Sequence, residues 1–61
     1  MAEMKRFAIW LAKQVYGIRA SDEDIKRAAL STWGIEDGDW LQSQIKFVRE
    51  SPELFRELAN A

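Results

Sequence analysis

Three groups of residues in this 61-residue chain have types and spacing that could do chemistry. Glu36, Asp37 and Asp39 surround Gly38, and alternating carboxylates beside a glycine suggest a calcium loop. An EF-hand loop needs acids or amides at three alternating positions, then glycine, then a Glu six residues after that glycine. Here only Asp37 and Asp39 alternate, and Gln44 stands where the Glu belongs. Capping of a helix start explains these acids better, because carboxylates suit the positive end of the helix dipole. The second group is Gln42, Ser43, Lys46 and Arg49, which share the polar side of a predicted helix and could face a DNA groove. The third is Lys5, Arg6, Lys13 and Arg19, which with Trp10 and Tyr16 could form a loose basic and aromatic patch.

Catalysis has little to work with. The chain has no histidine and no cysteine, which removes His-based triads, thiolate nucleophiles, disulfides and the usual zinc ligands. No glycine-rich loop is spaced to cradle a phosphate. A chain this short also struggles to enclose a dry pocket. The expected function is therefore non-catalytic, with no metal and no cofactor.

The elements that must position these residues are helical. Met4, Phe7, Ala8, Leu11 and Val15 fall on one face of a 3.6-residue wheel, which predicts a helix over about 2–16. Gly17 suits the left-handed residue that stops it. Ser21 followed by Asp22, Glu23 and Asp24 is a cap with an acidic first turn, and it predicts a second helix over about 22–33, stopped by Gly34. Asp22 with Lys26 and Glu23 with Arg27 have the favourable i,i+4 order. The inner face is read as Ile25, Ala28, Ala29, Thr32 and Trp33. Asp37 or Asp39 caps a third helix over about 39–50, with Trp40, Leu41, Gln44, Ile45, Phe47 and Val48 on a broad apolar face. Ser51-Pro52 starts a short C-terminal helix over about 52–59 that buries Leu54, Phe55 and Leu58. No segment alternates with period two. The expected fold is all-α, a single helical domain over 1–61 with three main helices and a short fourth.

Charge and apolar content then narrow the function. Residues 1–20 carry four cations against Glu3, a balance of +3, whereas residues 36–61 carry six carboxylates against Lys46, Arg49 and Arg56, a balance of −3. The longest apolar run, residues 7–12, is far too short to span a bilayer. Lys5-Arg6 ahead of it resembles the start of a signal peptide, but Lys13 interrupts the run and no small-residue cleavage site follows. A cytoplasmic protein without membrane contact is expected. Ile9 and Trp10 lie outside the main stripe of the first helix, and Leu30 projects away from the small-residue face of the second. Small domains without disulfides or metals depend on packing or association, and clustered exposed apolar residues mark interfaces.

The first expectation is a protein–protein interaction or assembly module, either self-associating or bound to a protein partner, with Ile9, Trp10, Tyr16 and Leu30 in contact. The alternative is a small DNA-binding regulator. Ala28, Ala29, Gly34, Ile35 and Ile45 partly supply a helix-turn-helix, and Gln42, Ser43, Lys46 and Arg49 would face the bases. Against it, the turn around Gly38 is acidic and would repel phosphates. Tyr16-Gly17-Ile18 resembles, over three residues, the aromatic–glycine–apolar loop of ubiquitin-associated domains, with a longer spacing to the second helix.

Overall fold

The computed structural model describes residues 2–61, with side chains from residue 4 onward. Helix α1 spans Ala2–Ala12 and continues into a π-helical segment, Lys13–Ile18. Helices α2 (Asp22–Trp33), α3 (Gly38–Arg49) and α4 (Pro52–Phe55) follow, and a 3₁₀ turn, Leu58–Asn60, ends the chain. The architecture is the expected all-α bundle of three main helices and a short last one.

Local signals explain most of the boundaries. Ser21 Oγ accepts from the Asp24 amide, and Asp37 Oδ1 accepts from the Trp40 amide, so each satisfies a donor that the first helical turn leaves unpaired. Gly34 adopts φ +70° and its amide donates to Ala29 and Leu30 carbonyls, closing α2. Ser51 provides no side-chain cap to α4, so Pro52 alone sets that start.

The first helix ends differently from expectation. Its left-handed residue is Arg19 at φ +59°, not Gly17. The ladder widens to the π form after Ala12, which carries the helix past Gly17. The Arg19 and Ala20 amides then both donate to the Gln14 carbonyl. The charge pairs on α2 also shift by one: Lys26 meets Glu23 and Arg27 meets Asp24, both i,i+3, because Asp22 is drawn to α3.

The core is Phe7, Leu11, Ala12 and Val15 from the first helix, Ile25 and Ala29 from α2, and Leu41, Ile45 and Val48 from α3. Ala12 is fully buried because the C-terminal 3₁₀ turn packs on α1 and on the π segment. Phe7 is an aromatic hub: its ring lies 5.9 Å from Trp10 (stacked), 5.5 Å from Trp33 (edge-on) and 5.7 Å from Trp40. Several expected inward residues face solvent instead. Met4, Trp40, Phe47, Leu54 and Thr32 are exposed. Leu54 escapes because α4 lasts only one turn before the chain tightens toward the 3₁₀ turn, so the 3.6-residue spacing that grouped it with Phe55 and Leu58 does not persist.

Candidate functional site

Three polar residues of α3, Gln42, Ser43 and Arg49, are engaged within the fold. Gln42 and Arg49 sit one above the other on α3 and both reach the first turn of α2. Gln42 Nε2 donates to Asp22 Oδ2 at 2.9 Å, and Arg49 Nη2 meets Asp22 Oδ1 at 2.7 Å. The Arg49 guanidinium, then the Gln42 amide, hold the Asp22 carboxyl below the usual carboxylate range. The same hydrogen bond raises Arg49 further above its ordinary value. Ser43 Oγ donates to the Asp39 carbonyl within its own helix. Of the four residues read as base-facing, Lys46 alone is exposed without such a partner among the described residues. The neighbouring carboxylates Glu36, Asp37 and Asp39 are all exposed.

The residues read as partner-binding are dispersed. Trp10 is half-buried, stacked on Phe7 and edge-on to Trp33 at 6.2 Å. Ile9 is half-buried as well. Tyr16 turns inward: its hydroxyl lies within hydrogen-bonding distance of the Val48 and Arg49 carbonyls, 2.5 and 2.9 Å away, and Arg56 stands 5.9 Å over its ring. Those carbonyls belong to the last turn of α3, where helical partners run out, so Tyr16 acts as a cap supplied from another element. Leu30 is 51% exposed on α2.

Of the exposed large hydrophobic side chains among the described residues, Met4, Trp40 and Phe47 gather around a groove of about 100 Å³, whereas Ile18, Leu30 and Leu54 lie outside it. Met4, Phe7, Ala8 and Leu11 of α1 form one wall and part of the floor; Trp40, Gln44, Phe47 and Val48 form the α3 wall; Phe55 of α4 completes it. Phe7, Leu11 and Val48 are buried, so the floor is core. Met4 at 61%, Phe47 at 53% and Trp40 at 39% exposure stand on the walls. Phe47 is braced from within the molecule by an edge-on contact with Phe55 at 5.6 Å. Gln44 is the one polar side chain in the lining. A surface of this kind can shelter apolar side chains.

A signal for the groove exists in the sequence. The apolar residues of α3 cover an arc of about 160° at 100° per residue, wider than the roughly 100° stripe that one core face requires. The surplus edge of that arc, Trp40 and Phe47, is the edge left outside.

Among the described residues no cluster of three or more His, Cys, Asp or Glu is placed to hold a metal, and no helix is long and apolar enough to cross a membrane. No protein-family model, curated protein or solved structure matches the chain.

Proposed function

We propose that the chain is a non-catalytic helical module for protein–protein interaction or assembly, and that its contact surface is the groove between α1, α3 and α4. The observation that carries this reading is the exposure of Met4, Trp40 and Phe47 around a floor made of core residues. Large aromatic and methionine side chains held half out of water are the groups that anchor protein interfaces. The occupant is a protein surface that brings apolar side chains of its own. Trp10 and Tyr16 serve the fold in this reading, and Ile9 and Leu30 lie outside the contact.

The engagement of Gln42 and Arg49 by Asp22 weighs against DNA readout, as does the exposed acidic turn beside them. Affinity capture from the native host, with wild type and Phe47→Asp compared side by side, tests the proposal. Species held by the wild type, further copies of the chain included, are expected to be lost from the variant, with at least about a tenfold drop in affinity. Identical retention by both proteins overturns it. Salt-sensitive binding to duplex DNA at low ionic strength would favour the alternative.

A further inference from the structure

The rims of the groove carry opposite charge. On α1, Phe7 lies about 60° to one side of Met4 and Lys5 about 100° to the other. Phe7 faces Trp40 of α3. Lys5 is therefore on the far rim of the α1 wall, and it is exposed. Arg6 and Lys13 fall on the back of the helix. On α3 the buried side is Leu41, Ile45 and Val48, and the opposite side beyond Trp40 and Phe47 presents Asp39, Ser43 and Glu50. All three are exposed, and neither carboxylate is in an ion pair among the described residues. Lys46 lies further round on that side and leaves the rim net acidic by one.

We propose that a second copy of this chain docks on the groove, related by a two-fold axis running along the groove over its floor, so that Lys5 of one copy lies over the Asp39 end of the other's acidic rim; α1 and α3 run in the same direction, Phe7 beside Trp40 and Tyr16 beside Val48, which sets Lys5 level with that end. This names the partner within the interaction-module reading and rests on it. An isologous contact requires a patch that complements itself. A groove with one cationic and one anionic rim has that property, because the rotation exchanges its rims. A uniformly basic occupant meets Lys5, and a uniformly acidic one meets Asp39 and Glu50. The protruding Met4 and Phe47 of each copy supply apolar groups for the other's groove. A stable dimer buries about 800 Å² per partner, roughly a fifth of the 4402 Å² that one copy exposes. The groove supplies the apolar centre of such a contact, and the fraction of the chain that is dimeric rises with concentration.

The test is sedimentation of the purified chain from about 1 μM to about 1 mM. The wild type is expected to pass from monomer to dimer across that range. Phe47→Asp, with helicity unchanged, is expected to raise the dissociation constant at least about tenfold. Lys5→Glu and Asp39→Lys place like charges together twice per homodimer, and each is expected to weaken it roughly threefold or more. Mixing these two variants puts unlike charges at both contacts, so the mixture is expected to dimerise more tightly than either alone. A monomer at every concentration overturns the proposal. So does a dimer indifferent to Phe47→Asp, or a mixture no tighter than its components. If the monomer still captures another protein in a Phe47-dependent way, the second copy is refuted and the interaction module stands. If that capture is also missing, both fall.

Discussion

Asp22 shows how one side chain redirects two surfaces. It sits in the first turn of α2, where its charge suits the helix dipole, yet its oxygens are taken by Arg49 and Gln42 of α3. The pair is partly solvated, with side chains 47% and 32% exposed, so its worth is modest. Asp22→Asn is expected to cost about 0.5–1 kcal/mol in urea denaturation at neutral pH. The folded pKa is depressed, so this contribution is complete above the ordinary carboxylate value and is lost as pH falls through the folded one. The gap between wild type and Asp22→Asn should therefore close in acid; a gap that widens there refutes the assignment. Tyr16 makes a comparable link between the π segment and α3. Tyr16→Phe keeps the ring and removes the donor to two end-of-helix carbonyls, and about 1 kcal/mol of stability should go with it. Self-association, read at the same time by sedimentation, should be unaltered, because Tyr16 does not line the groove.

At the scale of the elements, two glycines that look alike in the sequence behave oppositely. Gly17 lies inside the π segment without a positive φ, and a Cβ there would meet nothing within 4 Å. Gly17→Ala should raise stability by about 0.5 kcal/mol, through a less mobile unfolded chain. Gly34 holds φ +70°, so Gly34→Ala should lower it by about 1 kcal/mol despite the open space around it. Thermal melts of the two variants should move in opposite directions; a loss at Gly17 would mean that the helix stops there after all. The contrast marks how far the fold was legible. Caps at Ser21 and Asp37 and the stop at Gly34 are local hydrogen-bond problems with local solutions, and they can be read from the residues. Whether a ladder widens at Lys13 and runs on to Arg19 depends on packing with the C-terminal turn, which no local pattern encodes. The groove was half legible for a similar reason. The breadth of the α3 arc is visible, but which edge stays exposed depends on how α1 and α4 approach. Trp10 lies outside the stripe in the sequence, and α2 brings Trp33 edge-on against it, leaving it half-buried.

The whole molecule has to reconcile small size with a stable interior. A domain of about 60 residues buries only about 60% of its unfolded surface, and nine hydrophobic residues form the buried core among the described residues. The radius of gyration, 10.5 Å, nevertheless equals the roughly 10.5 Å expected of a folded chain of this length. The single chain is thus as compact as a folded domain of its length, and a second copy that docks on it adds stability to that structure. Such docking has a thermodynamic consequence, because a partner that binds only the folded state raises the melting temperature with its own concentration. Between a concentration near the dissociation constant and one about a hundredfold higher, the wild-type midpoint should climb by roughly 5–15 °C. Phe47→Asp should show a much shallower rise over the same range. Its baseline should also sit lower, since the Phe47–Phe55 contact at 5.6 Å is lost, so the slope and not the baseline is the quantity to read. A wild-type slope of zero alongside a two-state melt would place Met4, Trp40 and Phe47 on a free surface of the isolated chain, and the apolar surplus would then belong to a different protein partner.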